Sequence, residues 1–144
     1  DYLTVSRTWP PGDEVVLAFD IAPRVTEPNP RVDAIRGSVC VERGPLVYCL
    51  EAADQTPDLN LLDVRLDPAA EMTSTQRPSL LDGVTTIRIP GRAVAQGPWE
   101  GDLYLPLAED RALPSREVQL TAVPYYAWAN RGPGAMRVWI PKTK

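Results

Sequence analysis

Glu14-Val15-Val16-Leu17-Ala18-Phe19-Asp20-Ile21 places Val15, Leu17, Phe19 and Ile21 on one face, a period of two. In an extended chain successive side chains point to opposite sides, so this alternation predicts a half-buried β-strand. Upstream, Leu3 and Val5 alternate with Thr4 and Ser6, and Pro10-Pro11-Gly12-Asp13 lies between the two stretches. Proline fixes φ, glycine takes positive φ and aspartate can close an Asx-turn. The first 22 residues therefore read as a hairpin.

Downstream, Pro23, Pro28 and Pro30 mark a linker or a crossing at a sheet edge. Further strands are expected near 33–42, 46–51, 84–89, 102–105, 117–123 and 135–140. Residues 52–81 are the least legible. Their Leu59, Leu61, Leu62 and Leu66 should anchor the stretch to the core, and Pro68-Ala69-Ala70-Glu71 suits one short helical turn. Sixteen prolines in 144 residues argue against helices, because proline interrupts helix interiors and central strand ladders alike. Many short strands between Gly/Pro turns predict an all-β fold, an antiparallel β-sandwich of jelly-roll or immunoglobulin-like type with little helix.

The net charge of −4, without a basic cluster, argues against a nucleic-acid partner. No apolar run is long enough to span a bilayer, so no membrane partner is expected. The opening Asp1-Tyr2-Leu3-Thr4 is no signal peptide. Thirteen arginines against two lysines, with abundant Ala and Pro, suggest a GC-rich bacterial genome, a cytoplasmic setting being slightly favoured over secretion.

Candidate chemistry is sparse. A zinc site wants three or four converging Cys, His or carboxylate ligands. The chain has Cys40, Cys49 and no histidine, so neither a metal nor a catalytic residue is assigned. Acid–base hydrolysis by paired carboxylates needs two of them at a set separation. Glu42 and Glu51 are the only pair within a recognisable motif, and both read as residues of a solvated strand face. The cysteines depend on Gly44-Pro45. As a two-residue type II′ turn it would set Cys40 directly opposite Cys49. As a kink in one long strand it would hold them roughly 30 Å apart. The kink is preferred here, because the motif contains a single dipeptide of turn character.

Residues 36–51, Arg-Gly-Ser-Val-Cys-Val-Glu-Arg-Gly-Pro-Leu-Val-Tyr-Cys-Leu-Glu, and residues 122–140, Ala-Val-Pro-Tyr-Tyr-Ala-Trp-Ala-Asn-Arg-Gly-Pro-Gly-Ala-Met-Arg-Val-Trp-Ile, carry a resemblance. With Ser6-Arg7-Thr8-Trp9-Pro10-Pro11-Gly12-Asp13 they resemble the C-terminal β-sandwich region of the β-L-arabinofuranosidase family of glycoside hydrolases. The resemblance implies an (α/α)6-barrel catalytic domain followed by two β-sandwiches. Residues 1–30 would then be a hairpin and linker ending the first sandwich, and 31–144 the second. It also implies a cysteine nucleophile in a zinc site of cysteines and a glutamate, with a glutamate acid/base, all in the barrel. None of these can be carried onto this chain, which lacks the adjacent Cys-Cys pair and the Glu-x-Cys spacing. The implied function is a non-catalytic accessory domain buttressing the barrel, with zinc in the parent's catalytic domain only. Its implied partners are that barrel and the sister sandwich. A carbohydrate-binding module is the alternative, and an immunoglobulin-like adhesion domain a further one, although its Cys…Trp…Cys spacing is missing.

Asn130-Arg131-Gly132-Pro133-Gly134 is a loop signal between two strands. If Ala129 pairs with Ala135, then Tyr126, Trp128 and Met136 share a core face, and Tyr125, Arg137 and Trp139 share an outer one. Three readings of that outer face stay open: packing against the barrel or sister sandwich, core filling in a slipped register, and a sugar-stacking platform. Trp99, in Gly97-Pro98-Trp99-Glu100-Gly101, and Trp9 are further stacking candidates.

Overall fold

The computed structural model describes residues 2–97, 101, 103–106 and 113–143. The named strands of the described chain pair antiparallel, with four 3-10 turns of three residues each and no α-helix. The strands are β1 (Pro23–Thr26), β2 (Ser38–Arg43), β3 (Leu46–Glu51), β4 (Val64–Leu66), β5 (Thr73–Arg77), β6 (Val84–Val94), β7 (Ser115–Pro124), β8 (Met136–Arg137) and β9 (Ile140–Pro141). They form one sheet in the order β1-β2-β3-β7-β6-β4, with β5 on β6, β8 on β3 and β9 on β2.

The two layers expected of a sandwich are opposite walls of this single curled sheet. The C-terminal stretch closes the curl. Ile140 pairs with Val39 in β2, while Lys142 bridges to Leu66 in β4 at the far end of the strand order. Lys142 N–H donates to Gly37 O at 3.0 Å and Thr143 N–H to Leu66 O at 2.7 Å. Inside lie Val39, Val41, Tyr48, Leu50, Val64, Leu66, Ile87, Ile89, Leu120 and Ile140, all buried. They come from alternate positions of the paired strands, as a pleated sheet with one apolar face requires.

The long strand β6 tolerates a proline because of where it falls. On its second edge β5 pairs only as far as Arg88 and β4 only from Gly91. Pro90 sits in the gap, where its missing N–H interrupts no ladder on that edge. Gly91 is needed beside it: a Cβ there would stand 2.8 Å from Leu120 Cδ1 and 3.1 Å from Arg65 O.

Several expectations change. Gly44-Pro45 is a hairpin turn and not a kink, with Gly44 at φ +56 and the register Val41↔Tyr48, Glu42↔Val47, Arg43↔Leu46. One dipeptide suffices because glycine supplies the left-handed φ and proline locks the next. Residues 2–22 carry no strand; of the expected hairpin only the turn forms, with Asp13 N–H donating to Pro10 O at 3.2 Å. Strand pairing needs a partner with a face to bury, and an isolated two-stranded hairpin is marginal. Here Val15, Leu17 and Phe19 stay exposed, Phe19 by 77%. Pro23–Thr26 is an edge strand, where proline is tolerated. Leu59, Leu61 and Leu66 do anchor 52–81 to the core, but Leu62 is exposed. Residues 67–70 form a turn closed on Asp67, and the helical turn expected at 68–71 is absent. The strand expected at 102–105 lies partly outside the described residues, and 103–105 carry none.

Candidate functional site: a strap across the outer sheet face

β7 and β8 do not pair with each other. Leu50 in β3 pairs with Ala122 on one side and Arg137 on the other, so β3 separates them. Residues 125–135 must therefore cross over β3. They do so on the outer face, the side of Cys49 and Glu51. The crossing begins with a 3-10 turn, Tyr125–Ala127. That turn rotates each residue by about 120°, which ends the two-sided alternation of the strand.

The consequence corrects the expected core. Ala127 points inward and is buried, whereas Trp128 is 40% and Tyr126 65% exposed. Met136 is half-buried, paired with Glu51. Tyr125 and Trp128 stack, ring centroids 6.1 Å apart and planes 9° from parallel. Beneath the strap Cys40, Cys49 and Val123 are buried; both cysteines are free. The β2–β3 register, continued one step from Val41↔Tyr48, sets them opposite each other.

A polar cluster pins the strap. The Arg131 guanidinium makes a two-pronged ion pair with Asp54, 2.6 Å on each prong, and also binds Glu51. The second oxygen of Glu51 accepts the Ala129 N–H at 3.1 Å. Ala129 needs that hold, since its φ of +64 is costly for a residue with a Cβ. Glu51 is 5% exposed, so the expectation of a solvated strand face fails for it. Both carboxylates are occupied by one arginine, whose own pKa the Asp54 bond raises further. Burial, reinforced by Glu51 and Asp54, pushes the Cys49 thiol up to about 12, and burial also raises Cys40. Among the described residues no three Cys, His or carboxylate side chains converge as a metal site requires.

Tyr125 and Trp139, expected on one outer face, do come together. With Thr26, Cys40, Glu42, Val47 and Val138 they line an open hollow of about 560 Å³. Glu42 at its wall is held by Arg24 at 2.9 Å and by the Thr26 hydroxyl. Arg137 is not part of this group: it pairs with Leu50 and donates to Leu61 O at 3.3 Å, because the chain bends at 138–139. Trp9 lies before β1 with the Arg7 guanidinium 4.6 Å over its ring. Trp99 lies outside the described residues. The Glu51–Asp54–Arg131 cluster escaped sequence reasoning because Arg131 lies 77 and 80 positions from its two carboxylates.

A family model described as the glycoside hydrolase family 127 C-terminal domain matches residues 23–141. The chain belongs to glycoside hydrolase family 127. This family 127 chain is 37% identical over 143 residues to the non-reducing end β-L-arabinofuranosidase of Bifidobacterium longum subsp. longum, which covers 96% of this chain and 20% of that protein. Its fold is similar to that of a family 127 β-L-arabinofuranosidase from Geobacillus stearothermophilus T6, with a TM-score of 0.73 at 35% identity over 85% of this chain and 18% of that one. A second solved family 127 β-arabinofuranosidase gives 0.71 at 37% identity, covering 87% of this chain and 18% of the other. The chain thus spans about a fifth of the length of the relatives it matches.

Proposed function

We propose that this family 127 chain is a non-catalytic accessory module of a carbohydrate-degrading β-L-arabinofuranosidase, which acts by packing against and supporting a catalytic (α/α)6 barrel. The observation that carries the reading is the commitment of its reactive groups. Glu51 and Asp54 bind Arg131, Glu42 binds Arg24 and Thr26, and Cys49 is a buried protonated thiol. Among the described residues Glu42 is the one carboxylate lining the outer hollow, without the second that glycoside hydrolysis would need. Zinc, on this reading, belongs to the catalytic domain.

The proposal includes a domain boundary within residues 1–30. Two facts support it: the C-terminal domain match starts at residue 23, and the match to the Bifidobacterium enzyme extends into the residues before it. Those residues carry Val15, Leu17 and Phe19 uncovered, as a strand does when its sheet belongs to another domain. The test is hydrolysis of p-nitrophenyl arabinofuranosides by purified 144-residue chain, with and without zinc. No release is expected. Release that disappears in Glu42→Gln or Cys49→Ser would overturn the reading.

A further inference from the structure

From the strap's geometry we infer that Tyr125, Trp128 and Trp139 form a preformed docking surface for the domain that precedes residue 23 in the same polypeptide, with Arg131 as the positioning residue that holds it. The inference rests on the accessory-module reading and names the face through which the module joins the rest of the polypeptide.

The first argument is rigidity. Solvent-exposed loops of small and aromatic residues ordinarily adopt many conformations. This one is held at both ends and in the middle. Arg131 binds two carboxylates that are both nearly buried, Ala129 is kept in the left-handed region by Glu51, and Asn130 Nδ2 donates to Ala127 O at 3.0 Å. Ala52 N–H donates to Ala135 O at 2.9 Å where the strap rejoins the sheet. Removing any of these would release backbone and buried charge, yet what they fix in place is a pair of stacked rings facing outward. Conformations held against their local preference are associated with recognition surfaces.

The second argument is composition. Three aromatic residues within four positions, Tyr125, Tyr126 and Trp128, are exposed. Tyr and Trp are the side chains that contribute most at buried interfaces, and a rigid ring gives up little rotamer freedom on contact. The adjoining hollow continues the patch with Val47, Val138 and Trp139.

The third argument identifies the occupant. Thr26 and Glu42, on β1 and β2, line the same hollow. β1 begins at Pro23, paired with Arg43 beside the Gly44 turn, and Ile21 packs at that turn, its Cγ2 3.4 Å from where a Gly44 Cβ would be. The polypeptide before residue 23 therefore arrives at the rim of the hollow, trailing its own uncovered Val15, Leu17 and Phe19. A partner tethered this closely has a high effective concentration, so a modest aromatic contact suffices. The expected complement is an apolar protein face, with the Arg24–Glu42 pair at the rim already neutralised within the module.

The experiment uses the full-length enzyme with a protease site inserted between Ala22 and Pro23. After cleavage the two wild-type pieces should co-elute in gel filtration. Tyr125→Ala with Trp128→Ala should weaken their association at least tenfold while the circular dichroism of the module stays unchanged, both side chains being exposed. Arg131→Ala should weaken it alone, but add nothing further in the Tyr125→Ala/Trp128→Ala background, which a general loss of structure would not reproduce. Co-elution unaffected by the aromatic pair overturns this inference and leaves the accessory reading standing. Wild-type pieces that separate overturn both. Aromatic residues that stay open to acrylamide quenching in the intact enzyme, and are protected only by added arabino-oligosaccharide, also overturn it in favour of a sugar platform.

Discussion

Gln55 and Thr121 exchange two hydrogen bonds as if Gln55 were a residue of the neighbouring strand. The side-chain Nε2 donates to Thr121 O at 2.8 Å and the Thr121 N–H donates to Oε1 at 3.1 Å. The pairing of β3 with β7 stops at Leu50↔Ala122, because Glu51 turns away into the 3-10 turn Ala52–Asp54. One amide side chain replaces the missing ladder partner, and its Nε2 also donates to Glu51 O at 2.9 Å.

Gln55→Ala should therefore lower stability by about 1–3 kcal/mol, the usual cost of leaving partly buried backbone groups unpaired. Gln55→Glu should not rescue it at neutral pH, since a carboxylate offers no donor to the Thr121 carbonyl. Urea unfolding monitored by tryptophan fluorescence decides the matter. A Gln55→Glu midpoint equal to that of the parent would contradict the assignment.

Gly91→Ala should cost about 1–3 kcal/mol by overpacking. The added methyl meets Leu120 Cδ1 and the Arg65 carbonyl, and a backbone atom cannot give way as a flexible side chain can. Coupling to Leu120→Ala in a double-mutant cycle should recover part of the loss, and strict additivity would count against the contact.

The two thiols should be unreactive to Ellman's reagent in the folded chain and react as two per chain in denaturant, both being buried and free. Cys49 also gives an alkaline signature. Its folded pKa, about 12, lies above the ordinary 9.0. Below the ordinary value the thiol is protonated in both states, and its contribution to stability is fully present. Above it only the unfolded chain releases the proton, so stability falls as pH rises through that window. The drop in melting temperature between about pH 8 and about pH 10.5 should be smaller in Cys49→Ala than in the parent. An equal drop would remove Cys49 from the account.

Tyr48→Phe should be neutral or slightly stabilising. The ring fills the core, but its hydroxyl is buried beside the Arg43 guanidinium without a hydrogen bond of good geometry, and burial pushes its pKa up. Deleting an unsatisfied polar atom while keeping its shape removes a desolvation cost. A loss of more than about 1 kcal/mol in chemical denaturation would show that the hydroxyl has a partner after all.

Much of the fold was legible because its information is local. The core of β6 and β7 alternates strongly, Leu46–Glu51 opens with a continuous apolar run, and Gly44-Pro45 marks the break between two strands. β5 was not legible, because Thr73-Ser74-Thr75-Gln76-Arg77 contains no apolar residue to alternate. The opposite failure occurred at Glu14 to Ile21, where the alternation is strong but nothing in the described chain offers a sheet to join.

By itself the sequence determined the class: antiparallel β, little helix, a short chemical inventory, and the family its motifs resemble. Only the tertiary structure decided that Gly44-Pro45 reverses the chain, that the curl is closed by Ile140 and Lys142, and that residues 125–135 cross over β3. The reason is that periodicity reports which side chains can share a face, but not which strand lies beside which. Trp128 shows the difference most plainly. Its position in a two-fold pattern predicted a core residue. A 3-10 turn three residues long, stabilised by Arg131 reaching back to Glu51 and Asp54, turned it outward. That choice depends on pairs 77 and 80 positions apart, which no local window contains.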